Sequence, residues 1–262
     1  MTREHLPPAS AGNKGQYRSF SYSDWLRRDE GSLRLVGGTP GQGGMWGYTL
    51  CKACNDLTGH WYGAEYRGWA VRAAKMLAQI PATVAERDDD PVPYGVSFAL
   101  GGNTDRGVAP GSFIRQVLSC MCSLSSGWDL AGRNPSIREI VIDGACATLT
   151  QVRVFLKFCW GPQSRLVGPQ LVCDAETGEW AWVMEMSHAP LSLLLVLESN
   201  HDVQSGGVDI TSFTEIEPKY RGTFEVDEPV EVGFTWSPYP WDFRSTAAIL
   251  GTSEGPSTTS FG

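Results

Sequence analysis

Glu179-Trp180-Ala181-Trp182-Val183-Met184-Glu185-Met186 is followed by Leu191-Ser192-Leu193-Leu194-Leu195-Val196-Leu197-Glu198. Both are strand-length runs of β-branched, aromatic and aliphatic residues. Outward from them, Gln151 to Trp160 and Arg165 to Cys173 have the same character, and Asp174-Ala175-Glu176-Thr177-Gly178 is a hairpin signal. Ile137 to Ile142 reads as one more strand, with edges at Asp209 to Glu215 and Glu231 to Trp236. Runs joined by Gly, Pro and Asp turns predict a mainly antiparallel sheet.

Two segments carry helical spacing instead. Tyr62, Tyr66, Trp69, Ala73, Met76, Leu77 and Ile80 recur every three or four residues, and Pro81 ends the pattern. Phe113, Ile114, Val117, Leu118, Met121 and Leu124 place a second helix over about 111–124. The segment Arg87-Asp88-Asp89-Asp90-Pro91 is charged and Pro-bounded, which predicts a boundary there. The reading is α+β in two parts: residues 1–80, and residues 91–250 with the sheet and one long helix. Residues 251–262, rich in Ser, Thr and Gly, form a disordered tail.

The chain has 262 residues, 42% hydrophobic and 19% charged, which excludes a disordered or fibrous protein. No stretch reaches the ~18 apolar residues of a membrane span. Seven cysteines, and no apolar region after Met1-Thr2-Arg3-Glu4-His5, predict a reducing, cytoplasmic setting. The net charge of −8 is uneven. Residues 1–80 hold ten Lys+Arg and six Asp+Glu, a net of +4, and the remainder is net −12. A polyanion would therefore meet the first 80 residues. The loop Gly37-Gly38-Thr39-Pro40-Gly41-Gln42-Gly43-Gly44 lacks the Gly-Lys-Ser/Thr ending of a phosphate loop and is not one.

Two short pieces carry chemistry. Glu4-His5-Leu6-Pro7-Pro8 sets an imidazole beside a carboxylate, a pairing able to take a proton from water near pH 7. Cys51-Lys52-Ala53-Cys54-Asn55 places two thiols on one turn, half of a tetrahedral zinc site or a plain pair of turn cysteines. Redox chemistry at that pair would need a lowered thiol pKa.

Together these pieces resemble the two halves of the HNH nuclease motif, over residues 3–66. The resemblance implies a ββα-metal finger, two strands and a helix around one divalent ion, with a Gly-rich loop inserted between the halves and the finger packed on the sheet domain. It implies a metal-dependent endonuclease acting on DNA in preference to RNA. His5 would be the general base, and Glu4 and Asn55 the ligands of Mg²⁺ or Mn²⁺. Cys51 and Cys54 would give half of a structural zinc knuckle, and His60 would contact phosphate. Pro238-Tyr239-Pro240-Trp241-Asp242-Phe243-Arg244 is similar to the C-terminal segment of actinobacterial and phage proteins with such a finger. Three features depart from the family. No Cys-x-x-Cys precedes Glu4, the span from His5 to Asn55 is long, and Gly44 to Thr49 offers no middle polar residue to orient the His. The alternative from another class is a zinc-ribbon-like binding or scaffold module whose finger has lost its chemistry.

Elsewhere the sequence is quieter. Glu185 and His188 are three apart in a strand and point to opposite faces, which predicts a buried or edge histidine. Cys120 and Cys122 lie two apart in a helix and share no face. Cys146, Cys159 and Cys173 read as small core residues. Trp180 and Trp182 read as core packing on one sheet face.

Overall fold

In the computed structural model the described residues are 1–19, 39–78, 109–125, 127–159, 164–203 and 207–221. They form a mixed α+β fold with helices and antiparallel sheets. The expected boundary at 87–91, the edge at Glu231 to Trp236, the segment Pro238 to Arg244 and the tail lie outside them.

Strand β1 (Arg3–His5) pairs antiparallel with β4 (Trp46–Tyr48), and β2 (Tyr17–Ser19) with β3 (Thr39–Gly41). Helix α1 follows as Lys52–Leu77. It starts ten residues before the expected Tyr62. Its first turns carry Lys52, Asp56 and His60 and show no apolar stripe, so periodicity alone does not mark them. Further along, Tyr62, Tyr66, Trp69, Ala70 and Ala73 are buried, as the spacing predicts.

Helix α2 (Pro110–Leu124) is central. Thirteen of its fifteen residues are buried, all but Cys122 and Leu124, because α1 lies on one side and the sheet on the other. Against α1 the rings of Trp69 and Phe113 stack at 4.2 Å, and Tyr66 stacks on Phe113 at 5.6 Å. Gly111 lets another segment pass: a Cβ there would stand 2.4 Å from the Ile216 carbonyl oxygen. Buried Arg115 donates to the carbonyls of Ile140, Gly111, Ile216, Gly144 and Ala145, at distances from 2.5 to 3.3 Å. A buried cation is tolerable where each donor finds an acceptor.

After α3 (Leu130–Arg133), the expected strand Ile137 to Ile142 is instead α4 (Pro135–Arg138) followed by a π-helical turn, Glu139–Asp143. Pro135 opens that helix at its first turn. Ile137, Ile140 and Val141 sit at i, i+3 and i+4, and all three are buried.

The sheet runs β6 (Ser164–Cys173), β7 (Trp180–His188), β8 (Leu191–Ser199), β5 (Arg153–Phe158), β9 (Val208–Asp209), all pairs antiparallel. The hairpin at Asp174 to Gly178 closes with Gly178 N–H donating to Asp174 O at 3.0 Å. Of the expected edge at Asp209 to Glu215, only Asp209 is strand, and Thr211–Glu215 is a 3-10 turn. One sheet face (Val154, Leu156, Met184, Met186, Leu193, Leu195) joins Leu6, Tyr66, Trp69 and the apolar residues of α2 in one core. Trp182 packs on that core, 4.7 Å from Trp128. Cys159 is buried as expected, but Cys146 and Cys173 are exposed. No helix among the described residues is long and apolar enough to cross a membrane.

Candidate functional site

The β1–β4 register decides where each N-terminal side chain goes. Arg3 faces Tyr48, Glu4 faces Gly47 and His5 faces Trp46. Alternation therefore puts Arg3, His5, Trp46 and Tyr48 on one face of the ribbon and Glu4 alone on the other. Gly47 opposite Glu4 leaves that inner face narrow.

Glu4 points into the protein. It is 5% exposed, and Ser123 Oγ on α2, 119 residues away in sequence, donates to its Oε2. Burial pushes its carboxyl up to about 7, partly offset by the Ser123 and Thr49 hydroxyls beside it. Glu4 is thus half neutral near pH 7 and aimed at a hydroxyl.

His5 lies at the end of β1, with Nδ1 buried and without a hydrogen-bond partner among the described residues. Burial holds its imidazole below the ordinary range. The Arg3 charge acts the same way, and the Asn13 backbone opposes both. Burial and the Arg3 charge both favour the neutral ring.

Asn55 does reach β1 across the long insertion. Its Nδ2 donates to Arg3 O at 2.9 Å and to Thr2 Oγ1 at 3.0 Å. The amide thereby ties the start of α1 to the first strand. His60 is exposed on α1. Cys51 is exposed just before α1, and Cys54 is half-buried in its first turn.

The side chain that braces the start of the chain against the Gly44–Met45 segment is Asn13. Its Nδ2 donates to Pro7 O and Met45 O, both at 2.8 Å, and its Oδ1 accepts from Met45 N–H at 2.6 Å. Gly44 makes room for it: φ is +84°, and a Cβ would stand 2.0 Å from the Asn13 carbonyl oxygen. The sequence signal was the run of glycines, which marks a close backbone approach but not the side chain that approaches.

The expected metals do not fit these residues. Among the described residues no group of three or more His, Cys, Asp or Glu side chains converges to hold an ion. Mg²⁺ or Mn²⁺ at Glu4 and Asn55, and zinc at Cys51 and Cys54, are therefore corrected. Glu4 turns inward to Ser123, the Asn55 amide nitrogen binds β1, and two thiols are half a zinc set.

The chain matches none of the protein families, curated proteins or solved structures with which it was compared.

The outer ribbon face is the feature left facing solvent. Trp46 is 36% and Tyr48 58% exposed, with ring centroids 5.1 Å apart in an edge-on pair. The Arg3 guanidinium sits 4.3 Å from the Trp46 ring. Trp61, on α1, is 51% exposed.

A second polar cluster lies on the sheet. Glu185 pairs with Arg165 and accepts from Ser187 Oγ at 2.5 Å, and Ser187 and Ser192 hydroxyls are 2.5 Å apart. His188 Nδ1 lies 2.7 Å from Ser164 Oγ, and burial takes its imidazole down to about 4. It lies at the strand end and is half-buried, where its position predicts a buried or edge histidine.

Proposed function

We propose that the chain is a catalytically inactive module of HNH-like ββα descent that binds single-stranded nucleic acid, DNA in preference to RNA. The outer face of the β1–β4 ribbon makes the contact. One observation carries this reading: Arg3, Trp46 and Tyr48 share that face, with the cation over one ring and both rings open to solvent. Exposed rings stack on bases, and a guanidinium neutralises phosphate. The net charge of +4 over residues 1–80 supports the same surface.

The inactive clause rests on how the motif residues are used. A general base beside a held ion needs a free carboxylate facing the substrate. Here the Glu4 carboxylate is buried and faces Ser123 instead. The HNH-like residues act as the frame of the ribbon.

The test is fluorescence anisotropy of a labelled single-stranded DNA oligonucleotide with the full chain, in chelator, across a salt series. Trp46→Ala should weaken binding by about 1–3 kcal/mol, the range for one base–aromatic stack. Arg3→Ala should reduce the salt slope by about one phosphate contact. Binding by both variants equal to wild type would remove the ribbon from the reading. Cleavage of the oligonucleotide by wild type in Mg²⁺, lost in His5→Ala, would overturn the inactive clause.

A further inference from the structure

We propose that Cys51 and Cys54 form a redox-active dithiol/disulfide couple, with Cys51 as the attacking sulfur and Cys54 as the resolving one. The geometry is that of a cap. The Cys51 carbonyl accepts the Asn55 N–H at 3.0 Å, the first hydrogen bond of α1, so Cys51 is the N-cap residue. Its Sγ accepts the Cys54 N–H at 3.3 Å, the bond that a Ser or Asp side chain makes at this position. A sulfur receiving a backbone N–H at the positive end of a 26-residue helix is favoured as thiolate.

The second sulfur is where a resolving thiol must be. Cys54 is three residues on, in the first turn of α1, and its own N–H lies 3.3 Å from Cys51 Sγ. Exposure divides the two: Cys51 faces solvent and Cys54 is half-buried. The thiols are driven apart in acidity as well. Hydrogen bonds from Cys54 hold Cys51 below the ordinary thiol range. Sharing its hydrogen with Cys51, and then burial, hold Cys54 above it. The other five cysteines offer no comparable pair. Cys120 and Cys159 are buried with thiols pushed well up, and Cys122 is pushed up to about 12. Cys146 and Cys173 are exposed, and neither has a second cysteine within three residues.

The reaction is thiol–disulfide exchange with an external disulfide. The Cys51 thiolate attacks one sulfur of that disulfide, forming a mixed disulfide and expelling one thiolate, which takes a proton from solvent. The Cys54 thiol loses its proton and attacks the Cys51 sulfur. The mixed disulfide breaks, and the second external thiolate leaves and is protonated. Two protein thiols become one disulfide as one external disulfide becomes two thiols, so two electrons pass outward.

The experiment equilibrates the full chain with glutathione disulfide, quenches with acid, and counts free thiols by alkylation and peptide mass spectrometry. The expected result is a loss of two of the seven thiols and a bridged Cys51–Cys54 peptide. Cys54→Ser should instead accumulate glutathione on Cys51, and Cys51→Ser should accumulate none on Cys54. Circular dichroism of both variants checks that each remains folded. Thiols 51 and 54 left unmodified while Cys146 or Cys173 reacts would overturn the proposal. So would stoichiometric zinc on Cys51 and Cys54 in the purified chain.

Discussion

Glu4→Gln should stabilise the protein at pH 8 and leave it nearly unchanged at pH 4.5. The carboxyl rises from an ordinary 4.5 to about 7 because the fold buries it. Between those values the folded chain keeps a proton that the unfolded chain has released. Stability contributed by the neutral form is complete below pH 4.5 and is lost as pH rises toward 7. Each pH unit in that window is worth about 1.4 kcal/mol, so the whole window amounts to about 3 kcal/mol. Glutamine has the same shape, stays neutral, and keeps an oxygen for the Ser123 hydroxyl. Wild type alone would hide the effect. His188 is held down to about 4, so its neutral ring contributes stability above 6.5 that is lost as pH falls to 4. The two slopes have opposite sign and nearly cancel from pH 4.5 to 6.5. The difference between variant and wild type isolates Glu4. Urea denaturation of both proteins at half-unit steps from pH 4.5 to 8.5 measures it. The difference should grow with pH and level off above 7, near about 3 kcal/mol in favour of glutamine. A constant difference, or a variant less stable at pH 8, would refute the inward, hydroxyl-bonded Glu4.

Asn13→Ala leaves Pro7 O and Met45 N–H without the partner Asn13 supplies, while Met45 O keeps the Leu6 N–H, and should cost roughly 2–4 kcal/mol by chemical denaturation. Gly44→Ala meets both a positive φ and the Asn13 carbonyl, and the melting temperature should show a loss of more than about 1 kcal/mol. Trp69→Ala removes the ring stacked on Phe113 and should cost about 3–5 kcal/mol, read in the same assay. His188→Gln removes the group whose neutral form is favoured, so its denaturation free energy should fall less on acidification from pH 6.5 to 4 than that of wild type.

The sheet was legible because its strands are long, apolar and separated by a clear hairpin signal at Asp174 to Gly178. Ile137 to Ile142 was not: a short apolar run fits strand or helix equally, and Pro135 was the tie-breaking residue. The start of α1 was hidden because its first turns bury no stripe and a cysteine, an uncommon cap, begins it. At the site, the meeting of Asn55 with β1 was readable from the motif pieces. The side to which Glu4 turns was not. It depends on the parity of a three-residue strand and on a serine 119 positions away. Asn13 escaped for a similar reason, since its partners are backbone atoms that no side-chain pattern announces.

Arg115 gives the molecule an internal hub with no carboxylate among the described residues. Its guanidinium holds the α2 start, the π-helical turn, the Gly144–Ala145 segment and Ile216 through neutral carbonyl dipoles. Mobile ions weaken charge–charge attraction across solvent, but they do not enter a buried site and cannot compete for backbone oxygens there. The junction of these four segments should therefore be indifferent to ionic strength. A salt series applied to the Arg3–Trp46–Tyr48 surface should leave this junction unchanged.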